Sequence, residues 1–169
     1  VEKIGADLAR LDSELAKLCA AAGEGKPVTR GLVAEFVGLS REEQAWEIQG
    51  VLLRSGTRAA LEKLNELIRV GGVPEVMIGW SIVDILRKVH GASRLLAAGQ
   101  NEFAISKQLR LWGEAQSLVM EAARRVPPST WAMLLDEAVR TDARTKSGWS
   151  SDSARTFEGL VVTIGEKIA

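Results

Sequence analysis

The chain is poor in the residues from which reactive sites are most often built. Its 169 residues include one cysteine, one histidine and no tyrosine. A lone thiol, Cys19, cannot close an internal disulfide, and such cysteine usage fits a reducing compartment, the cytoplasm. With His90 as the single histidine, neither a histidine pair nor a histidine-based metal site can form. Charge of one sign is also lacking. Lys+Arg and Asp+Glu stand at 22 each, so no overall positive field draws the chain onto nucleic acid or a membrane, and any such contact has to be local. No apolar run approaches the roughly 18 residues that a membrane span needs, and no signal peptide is recognisable.

What the chain does have is helical periodicity. Hydrophobic residues make up 46% and charged residues 26%, the balance of a globular domain with enough length to bury a core. Ile4, Leu8, Leu11, Leu15, Leu18 and Ala22 recur at gaps of four and three, which places them on one side of a helix over residues 5–22. The chain opens at Val1 inside this pattern, so we expect the back part of a larger helical protein that works by contact. Turn signals then cut the rest into helices, with no convincing strand. Thr29 is expected to cap a short helix ended by Gly38, and Ser40 with Glu43 forms a capping box for a third helix to Arg54. Thr57 is read as the cap of a fourth, and Pro74 opens a long fifth helix to Ala98. The apolar set of that helix (Val76, Met77, Trp80, Val83, Ile85, Leu86 and Val89) is wide enough to be buried on more than one side. Asn101 caps a sixth helix, a seventh covers 114–126, an eighth runs from Ser129 or Thr130 to Thr145, and a last one covers 152–168. The fold class is therefore all-α, a helical bundle. The best boundary lies at residue 38: residues 1–38 are too few for an independent core, and residues 39–169 suffice for a compact bundle.

Chemical signatures fail one by one. Gly23-Glu24-Gly25-Lys26 has the look of a phosphate-binding loop, but Ala20 stands where that loop needs its first glycine, and Pro27 replaces the required Ser or Thr. Cys19 reads as a small core hydrophobe and His90 as a structural or surface residue. Adjacent carboxylates at Glu42-Glu43 and Asp136-Glu137 point in different directions on a helix and read as solvated faces. No catalytic residue, cofactor or metal is expected. Among five tryptophans, Trp46, Trp80 and Trp131 read as core, and Trp112 as a helix-junction residue. Trp149 differs, standing in the loop Lys146-Ser147-Gly148-Trp149-Ser150 between Arg144 and Arg155. Two readings fit it: a ring that stacks on an unpaired base, or a ring folded back over the bundle.

Taken in order, several stretches resemble one family. ADLARLDSELAKLCAAAG followed by VTRGLVAEFVG, then RSGTRAALEKLNELIRVGG, and finally Asp142, Lys146-Ser147-Gly148 and FEGLVVTI are similar to the C-terminal half of the delta subunit of the bacterial DNA polymerase III clamp loader. The resemblance implies that residues 1–38 end a small helical lid of the AAA+ type and that residues 39–169 form the collar domain. It implies a non-catalytic subunit that assembles with delta-prime and gamma/tau subunits into a pentamer. That pentamer loads the sliding clamp onto primed DNA during replication, and the clamp itself is gripped by an N-terminal module outside this sequence. It further implies that Trp149, with Arg144 and Lys146 beside it, meets the primer–template. The alternative is an unrelated all-helical scaffold or adaptor whose likeness reflects generic helix patterns.

Overall fold

The computed structural model describes residues 8–36, 41–148 and 152–168. All regular elements among them are helical, and no strand is present among the described residues. The chain divides into two compact units, Val1–Gln44 and Ala45–Ala169.

In the first unit, α1 (Leu8–Ala22) is followed by α2 (Arg30–Phe36). Thr29 caps α2 as its sequence position predicts, its hydroxyl accepting from the Leu32 amide at 3.2 Å. The apolar side of α1 is covered only in part. Leu18 is buried, whereas Leu8 and Leu15 are 78% and 50% exposed. The reason is length: seven residues of α2 reach about 10 Å, against about 22 Å for the fifteen of α1. Cys19, about 100° round the helix from Leu18, is exposed and does not serve as the core hydrophobe expected of it. Ile4, Gly38 and the Ser40 cap lie outside the described residues.

The division between units falls within α3 (Arg41–Arg54). The second unit continues with α4 (Gly56–Asn65), which runs into a single π-helical turn (Glu66–Val70), and then α5 (Glu75–Ala97). Next come α6 (Glu102–Leu109), α7 (Glu114–Ala123), α8 (Pro128–Lys146) and α9 (Ser153–Ile168). The spine is α5, with ten of its 23 residues buried. Helix α8 packs most extensively against it, then α7 and α6, while α9 lies on α4 and α8. One continuous core results, in which Trp131 of α8, Phe157 of α9 and Ile48 of α3 are fully buried.

Two glycines set the closest approaches. A Cβ on Gly79 would stand 2.7 Å from the Phe157 ring and 2.9 Å from Asp142 Oδ1, so only hydrogen at this position lets α8 and α9 come up against α5. Gly165 plays the same part between α9 and α4, where a Cβ would meet Thr57 Oγ1 at 2.0 Å. This contact corrects the reading of Thr57 as a cap. Helix α4 begins one residue earlier, at Gly56, whose φ of +80° suits glycine, and the preceding Ser55 makes no side-chain cap. Asn101 does cap α6, accepting from the Ala104 amide at 2.9 Å. Asp152 caps α9 through the Arg155 amide at 3.0 Å.

The broad apolar set of α5 is buried on one side only. Val83, Ile85, Leu86 and Val89 are in the core, but Val76, Met77 and Trp80 are 47%, 38% and 45% exposed. Trp80 is accordingly not the core residue its periodicity predicts. It instead meets the half-buried Trp46 edge to face, with ring centroids 4.8 Å apart and planes at 87°.

Candidate functional site

Three parts of the surface carry side chains that the fold does not consume. The first is the end of α8, where two of the sequence-predicted residues stand. Lys146 is held by Asp142 at 2.6 Å, one turn back on the same helix. Arg144 is exposed and forms no ion pair among the described residues. Residues two apart on a helix leave it about 200° apart, so the two cations project to opposite sides of α8. Trp149, the third of the set, lies outside the described residues. Where the chain resumes, Asp152, the cap of α9, and Arg155 and Glu158 of α9 line an open depression of about 260 Å³ with Arg69. Sequence reasoning did not connect Arg69 with this end of the molecule. It belongs to the π-helical turn, and nothing in the local sequence announces where that turn packs.

The second part is the outer face of α5. Val76, Met77 and Trp80 lie exposed there, joined to Trp46 of α3. Lys88 stands 5.3 Å from the Trp46 ring centroid and is paired with Asp84 at 2.6 Å. Gln49 ties α3 to α5 here by donating to the Ser81 carbonyl at 2.9 Å. An aromatic pair fixed in this way, half open to solvent, has the composition of an interface centre and not of a solvated helix face.

The third part is α6 with the turn that leads into α7. Phe103 and Trp112 are 80% and 72% exposed. Between them Arg110 ends α6 in the left-handed region, with φ 54° and ψ 47°. For a residue with a side chain this conformation costs about 1 kcal/mol that a glycine avoids. The turn is nevertheless well tied. The Leu111 amide donates to the Ser106 carbonyl at 2.8 Å, and Leu111 itself is buried.

The remaining features do not amount to a reactive site. An open depression of about 560 Å³ is lined by Arg54 and Arg125, among others. Arg54 is paired with Glu114 at 2.6 Å, while Arg125 binds Glu121 and the Leu53 carbonyl, so both guanidinium charges are already engaged. Burial, helped by the positive charge of Arg94, pushes the His90 imidazole below its ordinary value, which keeps it neutral near pH 7. No cluster of three or more His, Cys, Asp or Glu side chains able to hold a metal ion occurs among the described residues. No described helix is long and apolar enough to cross a membrane.

No family profile and no curated protein matches the sequence. Among solved structures, the chain is similar to the Bacillus subtilis DNA clamp loader delta protein (YqeN), with a TM-score of 0.65 and 18% sequence identity. The match covers 97% of this chain and 48% of that one, so the chain spans about half the length of the structure it resembles. What this likeness establishes is the fold: nearly all of the chain is folded like about half of a clamp loader delta protein.

Proposed function

We propose that this chain is part of a delta-type subunit of a bacterial clamp loader, with residues 1–38 ending a lid domain and residues 39–169 forming the collar. The observation that carries this reading is the fold likeness over 97% of the chain. The order of short stretches that resemble the delta family supports it independently. The role is architectural and non-catalytic: the collar packs beside delta-prime and gamma/tau subunits and holds the motor modules in register while the sliding clamp is loaded onto primed DNA. The exposed Val76, Met77 and Trp80 on α5, with Trp46 behind them, supply the apolar and aromatic anchors that such a contact needs. Light scattering after size-exclusion chromatography of the chain mixed with delta-prime and gamma/tau from the same organism tests this directly. A single larger complex is expected. A folded chain that stays apart would favour an unrelated helical scaffold or adaptor.

Within the same reading, Trp149 stacks on a base at the primer–template end, and Arg144 meets a nearby phosphate. The Lys146 ammonium is already paired with Asp142, so its contribution is the smaller of the two. In the assembled loader, Trp149→Ala is expected to weaken primer–template binding by roughly 5-fold or more, since base stacking contributes about 1–3 kcal/mol. Affinity equal to wild type at matched salt would remove the stacking assignment.

A further inference from the structure

We propose that the outer face of α6 and the turn into α7 form a binding site for single-stranded nucleic acid. The site is distinct from the α8–α9 end discussed above and does not depend on the subunit assignment.

Phe103 and Lys107 stand at positions i and i+4 on one face of α6, about 6 Å apart along its axis, and Arg110 follows as the left-handed residue that ends the helix. Trp112 follows two residues later. Both rings are largely open to solvent, at 80% and 72% exposed. Lys107 and Arg110 are exposed, and neither is in an ion pair among the described residues. The two carboxylates nearest in sequence do not neutralise them: Glu102 is bound to Arg124, and Glu114 to Arg54. The helix and the turn after it therefore carry two exposed rings and two exposed cations in no ion pair among the described residues, on a chain with no net charge.

The turn presents these groups on a fixed frame. Leu111 is 1% exposed and its amide closes on the Ser106 carbonyl, so the backbone on either side of it is held from within the core. Arg110 occupies a left-handed position where glycine is the usual residue, and its side chain is exposed and in no ion pair among the described residues. A strained arginine at such a place points to a ligand that uses the charge.

The chemistry of the groups selects the partner. Exposed rings suit the flat faces of bases, and cations that are in no ion pair suit phosphates. Stacking on a ring is available to every base, so the site is expected to be tolerant of sequence.

Fluorescence anisotropy of a labelled oligothymidine, titrated with the 169-residue chain, tests the proposal alongside an abasic strand of the same length. The thymidine strand is expected to bind about 5-fold or more tighter than the abasic strand, and Phe103→Ala or Trp112→Ala to weaken binding by about 5- to 150-fold. Arg110→Gly relieves the left-handed strain and so keeps the fold. It is expected to retain or raise the melting temperature while lowering both the affinity and the steepness of the salt dependence. No binding at low salt, equal binding of the abasic strand, or wild-type affinity in Phe103→Ala and Trp112→Ala would each overturn the site. Displacement by polyglutamate as effective as by unlabelled oligothymidine would overturn it too and identify an acidic protein partner instead.

Discussion

Gly165→Val is expected to melt about 10 °C below the wild-type chain, with loss of the α4–α9 contact. Local propensity alone predicts the opposite sign, because glycine inside a helix is about 1 kcal/mol worse than alanine. Packing decides the outcome. Even a single Cβ at residue 165 would stand 2.0 Å from Thr57 Oγ1, 2.9 Å from Thr57 Cβ and 3.2 Å from its backbone Cα. A hydroxyl can rotate away, but the backbone of α4 cannot yield without opening the core on which Ala60 and Leu64 sit fully buried. Overpacking of this kind costs about 3 kcal/mol, which outweighs the propensity gain and corresponds to the expected shift in a domain of this size. Gly165→Ala should destabilise less, and Thr57→Ala should rescue it only in part, since it removes the nearest atom but leaves Thr57 Cβ and Cα in place. Thermal unfolding followed by circular dichroism measures all three. A wild-type melting temperature for Gly165→Val would show that α4 and α9 are not packed as described.

Leu160→Asp is expected to release α9 from the bundle. Leu160 is 4% exposed, in line with Phe157, Val161 and Ile164 on the buried side of the helix. Deleting the side chain to alanine costs about 2–5 kcal/mol in a core. A carboxylate there adds a desolvation cost of several kcal/mol unless it is neutralised. The sum rivals the whole stability of a domain, about 5–15 kcal/mol. Hydrogen exchange should show the amides of α9 losing protection first, those of α4 following because α9 covers them. Leu160→Met, which conserves volume, is expected to stay within about 1.5 kcal/mol of wild type. Wild-type protection of α9 in Leu160→Asp would place Leu160 on the wrong side of the helix.

The helices themselves were legible because their signals are local. Thr29 and Asn101 donate no information beyond three residues, and both caps are where sequence spacing puts them. Thr57 misled for the opposite reason. Its spacing suits a cap, but its hydroxyl is pressed against Gly165, more than a hundred residues away in sequence. The three core tryptophans separate on the same principle. Trp131, Trp80 and Trp46 all sit in apolar periodic patterns, but of the three Trp131 alone is fully covered, in a helix packed against both α5 and α9. Of the candidate site residues, Arg144 and Lys146 were visible as charges near a helix end. That Lys146 is already paired with Asp142 follows from i,i+4 spacing and could have been read in advance. Phe103 and Lys107 were also visible as an i, i+4 pair, but the exposure of that face was not.

By itself the sequence determined the all-helical class, most helix boundaries, the lack of a histidine pair or an internal disulfide, and a neutral overall field. These depend on residue type and on spacings of three or four, within reach of a single turn of helix. Tertiary structure alone decided which side of each apolar helix is covered, that α2 is too short to cover α1, and that Gly79 and Gly165 are the points of closest approach. It also decided that Val76, Met77, Trp80, Phe103 and Trp112 are left to face outward. The physical reason is that burial belongs to pairs of helices. An apolar stripe states that a neighbour is needed, and only packing supplies one or leaves the stripe open to a partner.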